Sequence, residues 1–229
     1  MEHDEGLTQG AGVIQQREVT VQADRVSLEG NLAMPKDARA IIVFAHGSGS
    51  SRHSPRNRFV ADTLNAAGLA TLLFDLLTTE EETIDVRTRE LRFDIGLLAD
   101  RLTGAVDWLD GQKATRDLRV GLLGASTGAA AALMAAARRP GVVGVVVSRG
   151  GRPDLADEAL PAVKAPTLLI VGGDDTAVLE LNRQASARML AEHHLAVVPG
   201  ASHLFEEPGK LEAVAELARD WFLRHLTPR

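Results

Sequence analysis

The sequence predicts one α/β domain built on an open, mostly parallel twisted sheet with helices on both faces. Three observations carry this. Short, wholly apolar runs recur along the chain, helical periods lie between them, and one run turns through Gly124-Ala125-Ser126-Thr127-Gly128 straight into an alanine-rich stretch. Strands buried on both faces read as continuous apolar runs, and parallel neighbours need a crossover between them.

Taken in order, residues 1–17 open on Glu2, His3, Asp4 and Glu5 and are expected to be a flexible tail, with the domain occupying residues 18–229. Residues 18–22 and 27–33 alternate apolar with polar side chains, as half-exposed strands do, and a turn at 23–25 joins them as an antiparallel hairpin. The apolar runs follow at 40–45, 70–74, 119–123, 142–148, 167–171 and 195–198. Between them, Ile95, Leu98, Leu102, Val106 and Leu109 share one helical stripe, and Leu211, Val214, Leu217, Trp221 and Phe222 share another near the C-terminus. Strands alternating with helices imply right-handed crossovers. The intervals after Phe74 and Ser148 are too short for a cap domain; they leave room for a loop or one short helix.

Composition narrows the function. At 229 residues and 45% hydrophobic, the chain can bury a substantial single core. A net charge of -6 argues against nucleic acid or an anionic membrane as a general partner, since both reward a basic surface. The absence of cysteine removes disulfides, thiolate nucleophiles and zinc–thiolate sites together. No metal-ligand spacing such as HExxH occurs, and no cofactor is expected. With no apolar stretch of signal-peptide length at the start and none of membrane-spanning length anywhere, the expectation is a cytoplasmic protein acting on a small molecule. Oligomeric state stays open.

The GxSxG at 124–128 has the form of a nucleophile elbow. Such a turn is so tight that the residues two before and two after the serine can carry almost no side chain, and Gly124 and Gly128 meet that demand. The alternatives at a strand-to-helix turn fail on residues: Ala129 stands where a P-loop needs lysine, and Ser126 where GxGxxG needs its second glycine. A serine hydroxyl needs a general base and a carboxylate to orient it. Acids Asp174 and Asp175 lie just past the run at 167–171, and His203 lies past the run at 195–198, which would bring both to the carboxyl edge of the sheet beside Ser126. His46, His53, His193, His194 and His225 lack this placement and read as structural or exposed. The oxyanion requires two N–H donors. Thr127, directly after the serine, is one, and Ser48, in the glycine-rich loop after the run at 40–45, is the other.

With these motifs in place the chain resembles an α/β-hydrolase of the dienelactone-hydrolase-like group, from about residue 27 to residue 222. The resemblance rests on the HGSGSS loop at 46–51, GASTG, GGDD with Val178 downstream, and the Gly200-Ala201-Ser202-His203 turn. It implies the Ser–Asp–His order of that fold, and its GxxDxxV pattern aligns Gly172, Asp175 and Val178, favouring Asp175 over Asp174 as the acid. Dienelactone hydrolases proper use cysteine. Serine here shifts the expectation to esters or thioesters.

The expected reaction is therefore hydrolysis of a small carboxylic ester through an acyl-enzyme. Thioester or carbon–carbon cleavage on the same triad, and a catalytically silent ligand-binding protein, are the alternatives. Arg52, His53, Arg56 and Arg58 follow the glycine loop, and Arg149 and Arg152 follow the run at 142–148. Both groups should flank Ser126, so Arg52, Arg56, Arg149 and Arg152 are expected to hold an anionic group of the substrate. Asp75 and Glu80–Glu82 are expected in a solvated loop near the mouth, with Leu76 and Leu77 as aliphatic walls.

Overall fold

The computed structural model describes residues 13–226. Eight strands form one sheet: β1 (Ile14–Ala23), β2 (Val26–Pro35), β3 (Ala40–Ala45), β4 (Ala70–Phe74), β5 (Arg119–Ala125), β6 (Val143–Arg149), β7 (Thr167–Gly172) and β8 (His193–Val198). Their order across the sheet is β1-β2-β4-β3-β5-β6-β7-β8. Strands β3 to β8 pair in parallel, whereas β1 and β2 form an antiparallel hairpin whose outer edge pairs with no other described strand and whose inner edge runs antiparallel to β4. The hairpin closes with Ala23 opposite Val26, and Asp24 in the left-handed region accommodates the two-residue turn.

One expectation changes here. β1 begins at Ile14, so residues 14–17, expected in the tail, are paired with residues 32–35 of β2. Their side chains are exposed and give no apolar alternation, so the ladder alone holds them. Of the rest of the expected tail, Val13 is exposed and precedes β1, and residues 1–12 lie outside the described residues.

The wholly buried strands sort their side chains by alternation. Ile41, Val43 and Ala45 of β3 face a core shared with α3 (Ile95–Asp110), α4 (Thr127–Arg138) and the 3-10 segment Pro153–Ala162, while Ile42 and Phe44 face a second core under α1 (Pro55–Ala66) and α6 (Lys210–Leu226). Helices therefore cover both faces. The α3 stripe is buried from Leu98 to Leu109, and in α6 Val214, Trp221 and Phe222 are buried while Leu217 is exposed at the rim. α5 (Thr176–Ser186) connects β7 to β8.

After β4 the chain makes α2 (Thr79–Thr88) and a short 3-10 turn at Leu91–Phe93, with no inserted domain. Glu80–Glu82, expected in a loop, occupy the first turn of this helix. Three carboxylates there complement the positive end of the helix dipole, and Thr78 and Glu81 close a reciprocal capping box.

Candidate active site

Ser126 sits between β5 and α4 with φ 51° and ψ -121°, a backbone state that a residue with a side chain adopts only under constraint. The constraint is close packing. A Cβ at Gly124 would run into Ala129 and the Gly128 carbonyl, and one at Gly128 into the carbonyls of Ala45 and His46. The glycine loop presses on the turn from outside, for a Cβ at Gly47 would lie 3.0 Å from Cβ of Ser126.

The loops after β7 and β8 are pinned together by backbone. The Gly173 N–H donates to Val198 O at 2.8 Å and the Asp174 N–H to Ala201 O at 3.0 Å. This juxtaposition brings Asp175 Oδ2 to 2.7 Å from His203 Nδ1. Asp174 is exposed, so the structure pairs the imidazole with Asp175 and not with its neighbour. Because a carboxylate only accepts, Nδ1 carries the proton and Nε2 is left as a free lone pair.

Residues 149–152 connect that pair to the elbow. The Ser126 N–H donates to Arg149 O at 3.3 Å, and Ser126 O accepts from the Arg152 N–H at 3.0 Å. On the other side, a Cβ at Gly150, whose φ is +50°, would stand 2.9 Å from His203 O and 3.6 Å from Cε1 of the ring. Gly150 thus makes room for His203, a role that the sequence reading missed; the Gly150-Gly151 pair at a strand exit was its only signal. Among the described residues no hydrogen bond joins Ser126 Oγ to His203.

The two expected oxyanion residues meet, in an unexpected way. The Ser48 N–H donates to Thr127 Oγ1 at 3.1 Å, so this donor is engaged by a side chain of the elbow itself. Behind it, His46 anchors the loop: Nε2 accepts the Leu76 N–H at 3.0 Å, which leaves Nδ1–H to donate to Gly47 O at 3.0 Å. Burial lowers the pKa of His46, partly opposed by the bond to Gly47 and by Asp75 and Glu82.

The four expected substrate arginines separate. Arg52 is paired with Asp75 and, at 2.5 Å, with Glu29, and its backbone N–H also donates to Asp75. Its charge therefore stitches the loop to β2 and β4, and Asp75 is an anchor of that loop instead of a solvated acid. Arg152 binds Asp154 through two bonds, at 2.9 and 2.8 Å. Arg56 meets Glu206 at 3.1 Å on the half-exposed rim. Arg149 is different: it is 8% exposed, forms no ion pair among the described residues, and its Nη1 lacks any hydrogen-bond partner. Burial, helped by the nearby Arg56 charge, brings its pKa down to about 10.

A cleft of about 1100 Å³ opens beside the glycine loop, bounded by Gly49, Ser50, Arg52, Arg56, Leu77 and Val86. Leu77 is the wall expected of it, whereas Leu76 is wholly buried in the core. Ser126, Asp175 and His203 are not among the residues lining this cleft, which adjoins them through the 46–50 segment.

The strand order, the serine at a strained strand-to-helix turn and the paired loops after β7 and β8 define an α/β-hydrolase fold. A model of the dienelactone hydrolase family matches residues 28–227, and the chain belongs to that family of hydrolases. It is similar to the crystal structure of a dienelactone hydrolase from Anabaena variabilis, with 61% identity, coverage of 93% of this chain and 99% of that one, and a TM-score of 0.92. Two Mycobacterium tuberculosis proteins, each named a putative phosphoribosyl transferase, are 59% identical over 213 residues. That match covers 93% of this chain and 47% of theirs, so the chain spans about half the length of the curated relatives it matches. An esterase domain of a Rhodothermus marinus protein shares the fold, with a TM-score of 0.72 at 20% identity over 93% of this chain and all of that one. Among the described residues no helix is long and apolar enough to cross a membrane.

Proposed function

We propose that this chain is a serine hydrolase that cleaves a small carboxylic ester through an acyl-enzyme. The supporting observation is the 2.7 Å bond between His203 Nδ1 and Asp175, which leaves Nε2 as a proton acceptor, with residues 149–152 joining the Ser126 turn to the His203 loop. Ser126 Oγ attacks the ester carbonyl as Nε2 takes its proton; the imidazolium then returns that proton to the departing alcohol. Water, deprotonated in turn by Nε2, attacks the acyl-enzyme and releases the acid and free Ser126. The Thr127 N–H and the Ser48 loop receive the oxyanion. Contact between Ser126 and Nε2 forms with substrate, as catalytic hydrogen bonds in unliganded sites often do.

The substrate carries an anionic group. Arg52 and Arg152 already spend their charge on carboxylates of their own surroundings, whereas Arg149 is buried beside the elbow without a counter-ion among the described residues and Arg56 adds to its field. An unpaired buried cation is costly, and a carboxylate or phosphate on the substrate offsets that cost. The transfer reaction named for the mycobacterial relatives is not proposed, because the region matched here is the one covered by the hydrolase family model.

A fluorophosphonate probe tests the nucleophile: it should label Ser126 and leave Ser126→Ala unlabelled. Equal kcat/KM for neutral and carboxylated esters of one leaving group would remove the anionic preference, and Arg149→Met should abolish any preference that is seen.

A further inference from the structure

The Thr127 side chain occupies a position that its backbone role does not require. Thr127 is 4% exposed, and its Oγ1 accepts the N–H of Ser48, the donor that a hydrolase of this fold would aim at the oxyanion. A hydroxyl that accepts one bond still has a proton to give. Several other buried threonines give theirs to backbone carbonyls: Thr103 to Ala99, Thr115 to Leu109, Thr167 to Ala165. Among the described residues Thr127 makes no such bond, since it opens α4 and has no helical carbonyl one turn behind it. Its proton is thus uncommitted beside Ser126, where negative charge develops.

We propose that the Thr127 hydroxyl is a catalytic oxyanion donor, acting with its own backbone N–H, and that Ser48 contributes by donating to that hydroxyl. This inference rests on the acyl-enzyme reading and refines it. No proton is transferred in this step. As the carbonyl carbon bonds to Ser126 Oγ, the carbonyl π pair moves to oxygen, and the O–H of Thr127 shortens its bond to that oxygen. Donation from Ser48 polarises the hydroxyl and strengthens the bond it gives, since bonds in series reinforce one another. Threonine at this position then supplies two of the donors from one residue, held rigid by burial and by the helix start.

Substitution separates this arrangement from direct donation by Ser48. Thr127→Val keeps the shape and the backbone N–H but removes the hydroxyl; Thr127→Ala removes it with no bulk in a segment already rich in alanine, and so serves if valine disturbs folding. Both should lower kcat on an activated ester by about 100-fold, the typical loss for one oxyanion donor, with KM nearly unchanged. The second-order rate of fluorophosphonate labelling at Ser126 should fall in parallel, because the phosphonyl oxygen uses the same donors. Thr127→Ser, which restores the hydroxyl, should return kcat to within a few-fold of wild type. If the wild type turns over and labels but Thr127→Ala does so equally well, or faster because Ser48 is released, this inference fails and the hydrolase reading stands. A wild type that neither labels nor turns over overturns both.

Discussion

The elbow and the rim of this site are held by different physics. Around Ser126 and His203 the holding forces are backbone contacts: carbonyls fill the space where side chains of Gly124, Gly128 and Gly172 would be, and main-chain bonds join the loops after β7 and β8. Around the mouth the holding forces are charges, with Arg52 on Asp75 and Glu29, Arg92 on Asp85, and Arg101 on Glu81. Backbone packing admits one arrangement and tolerates no added atom, whereas ion pairs between long side chains can be exchanged for other pairings or for apolar residues of similar volume. The candidate catalytic residues sit on the first kind of support, and the mouth of the adjoining cleft on the second.

That contrast can be broken by measurement. The largest effect should come from the acid: Asp175→Asn leaves the imidazole in the wrong tautomer, and kcat should fall on the order of 10⁴-fold, while Asp174→Asn should change it by less than about twofold, Asp174 being exposed. Next, Gly128→Ala drives a methyl into the Ala45 carbonyl and should cost about 3 kcal/mol of unfolding free energy, read by urea titration. Arg52→Met at the rim should cost roughly 1–2 kcal/mol in the same assay. A rim loss equal to the elbow loss would erase the distinction drawn above.

The smallest effect concerns His46, where rim and elbow join. Its folded pKa is lowered by burial, and protonation would also set N–H of Leu76 against a second donor. Unfolded, the group titrates near 6.5. The folded state therefore binds fewer protons, so the contribution of His46 is full above about pH 6.5 and drains away as pH falls toward the lower folded value. The melting temperature should decline from pH 7 to pH 5, and His46→Gln should flatten that slope.

Much of the candidate site was legible because elbows and strand exits impose local rules. A serine between two glycines, acids after one apolar run and a histidine after the next can be read along the chain. Pairing of Asp175 with His203 agrees with the GxxDxxV spacing. The arginines were legible as a group and not as individuals, since nothing local distinguishes Arg149, without a carboxylate partner among the described residues, from Arg52, claimed by carboxylates on β2 and at the end of β4. The same holds for residues 14–17, which are strand only because β2 lies beside them.

By itself the sequence determined most of the strands and their parallel sense, and it singled out Ser126, Asp175 and His203 as candidates, because periodicity and turn stereochemistry act over a few residues. Only the tertiary structure decided which cation goes unneutralised, that Gly150 clears the space for His203, and that the Ser48 N–H ends on the Thr127 hydroxyl, a contact across 79 positions of chain. Such partners are chosen by where the sheet brings loops together, and no local rule encodes that distance.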